Sequence, residues 1–181
     1  MALTCRLSAL PVLASLALLA GLPATAGASR EVPAEGGEPT RRILRLATGK
    51  VETVPLEAYV SAVLPAEIGA SAPAAALEAQ AVAARSYAVA RKGRHEDRGA
   101  DLCDGVHCQV YAGLSRATAA TRRAAEASRG IVLVQGGRVI AAPFHAVCGG
   151  RTARPSAVWD DEETPDLVPV EDDACLSASG A

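Results

Sequence analysis

Aromatic side chains are scarce in this sequence. They make up 3% of the 181 residues, and the formal net charge is −2. Binding of single-stranded nucleic acid needs aromatic stacking platforms beside a strongly basic groove. The arginines are scattered and match no nucleic-acid-binding motif. The sequence therefore argues against a nucleic-acid partner.

Internal repeats and an even distribution of charge are lacking as well. No repeat is visible, and the length is that of one ordinary domain. Residues 29–159 carry a modest excess of Lys and Arg over Asp and Glu, whereas residues 160–173 contain acids and no base. The body of the chain therefore modestly favours an anionic partner, and the acidic tail does not.

A hydrophobic run long enough to remain in a bilayer is also missing. Residues 7–22 are almost wholly apolar and follow Arg6, but a bilayer span needs about 20 such residues. Small side chains then provide cleavage sites after Ala26 or Ala28. We expect residues 1–28 to be a signal peptide, the protein to be exported to the periplasm or cell wall, and no stable membrane span to remain after cleavage.

Cysteine is used sparingly. The chain has five, and Cys5 precedes the apolar run, so no lipid-attachment cysteine follows that run. The cysteines that remain after signal cleavage are Cys103, Cys108, Cys148 and Cys175. In an oxidising compartment they can form disulfides, and four cysteines allow three pairings. The residues favour a disulfide between Cys148 and Cys175 over free thiols there.

The hydrophobic pattern predicts an α+β fold in which hairpins flank an Ala-rich helical segment. A flexible lead-in at 29–40 precedes one domain over residues 41–181. The predicted elements, in order, are a hairpin of strands 42–46 and 51–54, a helix at 56–64 that Pro65 ends or bends, an Ala-rich helix from about 71 to 91, a loop at 93–105, a short strand at 108–111, a helix at 116–128 and a hairpin of strands 131–134 and 139–142.

Glu67 is a candidate for acid–base chemistry because it follows the expected helix break at Pro65 and has apolar neighbours. Loss of water around a carboxylate raises its pKa. A carboxyl group with a raised pKa can donate a proton to the leaving oxygen of a glycosidic bond near neutral pH. The alternative is an ordinary surface glutamate in a loop, and the residues alone favour that alternative.

Residues in two further segments are candidates for substrate binding. Gln80, Arg85 and Tyr87 lie in the Ala-rich helix, which is expected to be buried on most sides, so each needs a polar partner. That partner is either the protein itself or a substrate. Gly149 and Gly150 indicate unusual backbone angles, which serve either a tight loop or the close approach of a ligand.

A cysteine- and histidine-containing loop has the donors for a metal. Cys103, His107 and Cys108 supply three zinc ligands, and His95 is a candidate for the fourth. The spacing is not the usual pair of cysteines separated by two residues, and His107 and Cys108 are adjacent. A disulfide between Cys103 and Cys108 is the alternative, and the residues leave both interpretations open.

Together these segments resemble the stage II sporulation protein D (SpoIID) family, to which the LytB amidase enhancers also belong. The resemblance covers residues 42–175 and rests on four motifs in the family's order. They are residues 56–68 with Pro65-Ala66-Glu67-Ile68, residues 76–88 of the Ala-rich helix, residues 103–111 with Cys103-Asp104 and His107-Cys108-Gln109-Val110-Tyr111, and residues 145–159 with His145, Gly149-Gly150-Arg151-Thr152 and Val158-Trp159.

The resemblance implies a lytic transglycosylase that cleaves the MurNAc–GlcNAc glycan strands of peptidoglycan without water and leaves 1,6-anhydro ends. It places the single acid–base at Glu67, because the sugar's own 6-hydroxyl is the nucleophile and no second carboxylate is needed, unlike in the two-carboxylate hydrolases. It associates structural zinc with Cys103, His107 and Cys108. The implied substrate-binding residues are Gln80, Arg85, Tyr87, His145, Gly149 and Gly150.

The chain also departs from the family pattern. Val147-Cys148 precedes the glycine pair, which favours a variant with a disulfide. Family domains normally extend well past the position of Cys175, so the resemblance predicts a domain that is incomplete at its C-terminus. The alternatives to an enzyme are a non-catalytic module that binds the wall or enhances a cell-wall amidase, and a non-functional fragment.

Overall fold

The structure, a computed structural model, describes residues 27–30, 37–144, 148–158 and 167–172. The helices are α1 (Leu56–Glu67), α2 (Ala74–Ala90) and α3 (Ala119–Ala127). The strands are β1 (Gly27–Arg30), β2 (Thr40–Arg45), β3 (Lys50–Pro55), β4 (Leu102–Cys103), β5 (Ile131–Gln135) and β6 (Arg138–Val139). Helices and strands are segregated along one domain, which confirms the predicted α+β class and the hairpins that flank the helices.

The first sheet is built on the β2–β3 hairpin. The two strands pair antiparallel, with Ile43 opposite Glu52, and Gly49 at φ 69° provides the left-handed residue in the turn. Strand β4 adds to β2 in parallel, with Ile43 opposite Leu102. The strand expected at 108–111 is not formed. Those residues instead run irregularly past the end of α1, and β4 takes the place beside β2.

Helix α1 extends further than the sequence predicts. Pro65 lies inside the helix, so the expectation that the helix ends there is wrong. A proline this near the C-terminus removes little of the backbone ladder, and the amide of Ile68 still donates to the carbonyl of Leu64 at 3.0 Å. Burial of Val60, Val63 and Leu64 holds the helix on the core. Glu67 is therefore the last residue of a packed helix.

Helix α2 packs through its alanines. Ala81, Ala84 and Ala88 are completely buried, and their small side chains allow α2 to pack closely against α1, α3 and β5. Pro73 immediately precedes the helix, close to its predicted position in the first turn. The three helices and the first sheet enclose one main hydrophobic core.

A second sheet consists of β1, β5 and β6, with β5 in the middle. Gly136 and Gly137 have φ values of 58° and 77°, as a two-residue hairpin turn requires, and they connect β5 to β6. Strand β1 pairs antiparallel with the other edge of β5, with Gly27 opposite Val134 and Arg30 opposite Ile131. Residues 29–30, expected in the flexible lead-in, thus belong to a strand.

No helix in the described ranges is both long enough and apolar enough to cross a membrane.

Candidate functional site

A cleft of about 290 Å³ lies where the ends of α1 and α2 meet two loops. One loop follows β4 and the other follows β6. The residues that line the cleft are Glu67, Tyr87, Arg91, Arg94, Val106, His107, Cys108, Gln109, Val110, Ala141, Ala142, Pro143 and Phe144. Two of the predicted features, the acid–base candidate and the cysteine- and histidine-containing loop, therefore share one cleft.

Glu67 is half-buried in this cleft. Its Oε1 accepts a hydrogen bond from the backbone amide of Val110 at 3.3 Å. Burial raises the pKa of Glu67, and the hydrogen bond from Val110 opposes that rise. The net direction is the one a general acid needs, because a raised pKa keeps a proton on the carboxyl group at higher pH.

Tyr87 lies in the cleft near Glu67. Its hydroxyl donates to the carbonyl oxygen of His107 at 3.4 Å. Burial is the main cause that raises the pKa of Tyr87 to about 12. The phenol therefore stays protonated over the physiological range and remains a hydrogen-bond donor in the cleft.

Four potential metal ligands converge beside the cleft. One ligand atom from each of His95, Cys103, His107 and Cys108 lies within 4.8 Å of all the others. His95 Nε2 is 3.2 Å from His107 Nδ1 and 3.4 Å from Cys108 Sγ, and Cys108 Sγ is 3.8 Å from His107 Nδ1. Tetrahedral zinc with bonds of about 2.0–2.3 Å places its ligand atoms about 3.3–3.8 Å apart. The spacing of His95, His107 and Cys108 fits zinc, and Cys103 Sγ lies within 4.8 Å of the other three ligand atoms.

Burial shifts the pKa values of two residues of this cluster, His107 and Cys108. Desolvation raises the pKa of the Cys108 thiol to about 11, and burial together with the positive charge of Arg94 lowers the pKa of His107. A neutral imidazole is ready to bind a metal, whereas the thiol must release its proton. Cys103 and Cys108 are not joined by a disulfide, although the sequence left that bond open.

The loop that carries His107 and Cys108 is anchored on the first sheet. The amide of Tyr111 donates to the carbonyl of Asp104 at 3.1 Å and closes the loop. Asp104 pairs with Arg45 of β2 at 3.2 Å, and the Arg45 guanidinium stacks over the Tyr111 ring at 5.3 Å. Because Val110 lies within this closed loop, the same anchor positions the amide that contacts Glu67.

Two of the predicted substrate-binding residues lie away from the cleft. Arg85 is fully buried, and its Nε and Nη2 donate to both carboxylate oxygens of Glu57 at 2.9 and 2.6 Å. Gln80 is also buried and does not line the cleft. The inner face of α2 packs both side chains into the protein, so the structure does not bring Arg85 and Gln80 to the cleft.

The glycine pair lies beside a second cavity of about 460 Å³, which Cys148 and Arg151 help to line. Gly149 and Gly150 both have positive φ, 67° and 95°, so the unusual backbone expected there is present. The second cavity shares Pro143 and Phe144 with the first. His145 and Cys175 lie outside the described residues, and so does the predicted disulfide of Cys148.

Nine residues that line the cleft were not among the predicted site residues: Arg91, Arg94, Val106, Gln109, Val110, Ala141, Ala142, Pro143 and Phe144. Arg91 lies at the predicted end of the Ala-rich helix and Arg94 in the predicted loop after it, and no motif in the sequence assigns either of them to a site. Val110 contributes through its backbone amide, which no side-chain pattern reveals. The sequence signal for Phe144 is that it is the single phenylalanine of the chain. In the structure its side chain is 39% exposed.

The segment that contains Glu67 and the cysteine- and histidine-containing loop also matches a family model. The family model described as "SpoIID: Stage II sporulation protein" matches residues 45–135, which is half of the chain. The protein belongs to the SpoIID family, as its motifs indicated.

Two curated proteins are similar to the chain. An uncharacterised protein of Brachyspira hyodysenteriae is 37% identical over 103 residues, which are 56% of this chain and 28% of that protein. The protein named amidase enhancer of Bacillus subtilis is 35% identical over 110 residues, which are 61% of this chain and 14% of that protein. The matched part thus covers less than a third of the length of either relative.

Proposed function

We propose that this protein is an exported lytic transglycosylase that cleaves the MurNAc–GlcNAc strands of peptidoglycan, with Glu67 as its single acid–base. The observation that carries the proposal is the position of Glu67, which is half-buried in a cleft at the end of a packed helix with a raised pKa. Membership of the SpoIID family supports a role at the cell wall.

The reaction requires one carboxyl group that changes its role. Protonated Glu67 donates its proton to the glycosidic oxygen as the bond between that oxygen and the anomeric carbon breaks. The resulting carboxylate then takes the proton of the sugar's 6-hydroxyl as that oxygen bonds to the anomeric carbon. One bond breaks and one forms within the strand, no water is consumed, and Glu67 ends protonated as it began. The amide of Val110 stabilises the carboxylate between the two steps.

The cleft supplies groups for positioning a sugar chain. The protonated hydroxyl of Tyr87 and the guanidinium group of Arg91 offer hydrogen bonds to hydroxyl and acetamido oxygens. Val106, Phe144 and Pro143 provide apolar surface for the faces of the rings. His95, Cys103, His107 and Cys108 would hold zinc with no open coordination position, so the metal would stabilise the loop and take no part in bond cleavage.

The experiment that tests this proposal is incubation of the purified protein with stem-peptide-free glycan strands, followed by mass spectrometry for 1,6-anhydro products. Glu67→Gln keeps the shape of the side chain but cannot cycle a proton. We expect product release to fall by about 10²-fold or more, the range typical of general acid–base catalysis, with strand binding retained. Glu78→Gln, which alters an exposed glutamate of α2 outside the cleft, is the matched control and should keep wild-type activity.

A non-catalytic role is the second candidate, and the name of the Bacillus subtilis relative, amidase enhancer, favours it. In that case the same cleft would bind the glycan strand while a cell-wall amidase acts nearby. Wild-type protein that yields no anhydro product but binds strands and stimulates an amidase would establish this role. If Glu67→Gln forms anhydro products as fast as wild type, Glu67 is not the acid–base.

A further inference from the structure

The cleft carries more positive charge than a neutral sugar chain needs. Among its described lining residues, Glu67 is the one carboxyl group, and Arg91 and Arg94 contribute two guanidinium groups. Hydroxyl and acetamido groups can be bound by neutral donors, whereas a fork of guanidinium N–H groups is matched to a carboxylate. The balance of charge beside the acid–base therefore points to a ligand that carries a carboxylate.

The two arginines differ in accessibility. Arg91 is buried, at 6% exposure, at the C-terminal end of α2. Arg94 is exposed and follows Gly93, whose φ of 87° makes the turn. The amide of Arg94 donates to the carbonyl of Arg91 at 3.2 Å, so the backbone beneath the side chain is held in place. Arg94 is the guanidinium that an incoming strand can reach.

The side chain of Arg94 contacts the metal cluster. Its Nη2 lies 3.3 Å from His107 Nε2, and this is its one polar side-chain contact among the residues that the structure describes. Every N–H of a guanidinium is a donor, so the contact requires an unprotonated Nε2 that accepts. In neutral His107 the proton then sits on Nδ1, the nitrogen that faces His95.

Metal binding requires the opposite arrangement of that proton. Nδ1 is the atom of His107 that lies within the cluster, so it must offer its lone pair to the metal. The proton of the neutral ring then sits on Nε2, where it faces the donors of Arg94. Two donors cannot pair, so the guanidinium leaves His107. Zn²⁺ with two thiolates and two neutral imidazoles carries no net charge. The positive charge that attracts an anion to this side of the cleft therefore comes from the arginines.

We propose that Arg94 is the specificity-determining residue of the cleft, that it binds a carboxylate on the glycan strand, and that metal binding at the cluster releases it from His107 for this role. The proposal rests on the proposed function in taking a peptidoglycan strand as the ligand. Such strands offer carboxylates from two sources: the lactyl group of muramic acid once its peptide is gone, and the acidic residues of a stem peptide.

The test measures strand binding by calorimetry in a Glu67→Gln parent, which does not cleave its ligand. Three strands of equal length are compared: one with free lactyl carboxylates, one with lactyl methylamides and no carboxylate, and one that carries stem peptides. Arg94→Gln is added to the parent, and Arg94→Lys keeps the charge but loses the fork. Arg123→Gln, at an exposed position of α3 outside the cleft, is the control for net charge.

We expect Arg94→Gln to weaken binding of at least one carboxylate-bearing strand by about tenfold, to leave methylamide binding unchanged, and to exceed the effect of Arg123→Gln. The strand that loses affinity identifies the source of the carboxylate. Equal effects of Arg94→Gln and Arg123→Gln, or an equal loss for the methylamide strand, would overturn the proposal. A parent that binds no strand would overturn the proposed function as well. If wild type forms no anhydro products, cleavage of the strand is excluded, whereas binding of the strand is not.

A metal-stripped sample tests the release of Arg94. Chelation should lower the affinity of the parent for the carboxylate-bearing strand toward that of Arg94→Gln, and it should not further weaken Arg94→Gln. Circular dichroism and metal analysis verify that the stripped protein remains folded and metal-free. If metal removal weakens the parent and Arg94→Gln by the same factor, the metal does not act through Arg94 and the release step is wrong.

Discussion

At the scale of single residues, the ionisation of Glu67 links stability to function. Burial opposes the charged form, which is why the pKa of Glu67 is raised. A carboxyl group whose pKa is higher in the folded state than in the unfolded state favours folding when protonated. That contribution is fully present below the unfolded pKa and is lost as pH rises through the folded pKa. Ionisation of Glu67 therefore lowers the stability of the folded protein.

The Glu67→Gln variant should accordingly unfold at a higher temperature than wild type at pH 8. At pH 4, where Glu67 is largely protonated in both states, the two proteins should differ little, because glutamine resembles the neutral acid. Thermal melts at both pH values, with Glu78→Gln as the exposed control, measure the difference. A variant that is no more stable than wild type at pH 8 would show that ionisation of Glu67 does not lower the stability of the folded protein.

Arg85 shows how a polar residue in a functional motif can be structural. It joins α2 to Glu57 of α1 through two hydrogen bonds, and it also donates to the carbonyls of Ala125 and Ile131 at 3.0 and 3.1 Å. The side chain thereby satisfies acceptors from three other segments of the core. Such a buried network is costly to break because the remaining partners stay desolvated.

We expect Arg85→Ala to destabilise the protein by about 3–5 kcal/mol, since it leaves the carboxylate of Glu57 unpaired in the core. Arg129→Ala is the matched control, because Arg129 pairs with Glu126 at the surface, where an ion pair contributes about 0–1 kcal/mol. Urea unfolding monitored by circular dichroism gives both values. Similar losses for the two variants would contradict the assignment of Arg85 to the core.

At the scale of elements, strand β1 distinguishes between two processing sites. The small residues allow signal cleavage after Ala26 or Ala28. Strand β1 begins at Gly27, which pairs with Val134 of β5. Cleavage after Ala26 keeps the whole strand, whereas cleavage after Ala28 removes half of it.

N-terminal sequencing of the exported protein should therefore begin at Gly27. Ala26→Phe should block this processing because the residue before the cut must be small, and Ala28→Phe should not. A mature protein that begins at Ser29 would show that β1 does not direct the choice, and one that begins at Met1 would exclude a cleaved signal.

At the scale of the whole molecule, the cluster of His95, Cys103, His107 and Cys108 links the first sheet to the cleft. Cys103 ends β4, and Cys108 lies two residues before the amide that contacts Glu67. A ligand that binds only the folded state stabilises it, and zinc sites of this type contribute directly to folding. A bound metal should therefore stabilise both the loop and the domain.

Metal analysis of the purified protein should find one zinc per chain, and chelation should lower the melting temperature. Cys108→Ser should lose the zinc, while Cys148→Ser, which alters a cysteine outside the cluster, should retain it. Retention of a full equivalent of zinc by Cys108→Ser would contradict the proposed ligand set, and an oxidised Cys103–Cys108 pair without metal would favour the disulfide.

The sequence by itself determined the features that depend on local chemistry. The β2–β3 and β5–β6 hairpins follow from alternating apolar residues around Gly49 and around Gly136-Gly137, and the helices follow from apolar periodicity. Glu67 and the cysteine–histidine loop were identified from motifs, and the structure brings them into one cleft. These features could be predicted because propensity, spacing and turn chemistry act over a few neighbouring residues.

Only the tertiary structure decided which polar side chains face the cleft. Arg85 and Arg94 look alike as charges in sequence, yet packing of α2 places Arg85 against Glu57 and the turn at Gly93 leaves Arg94 exposed at the cleft. Packing also carried α1 past Pro65 to Glu67 and placed the amide of Val110 on that carboxylate. Each of these outcomes depends on contacts between distant segments, whose free energies exceed local preferences and leave no periodic signal in the chain.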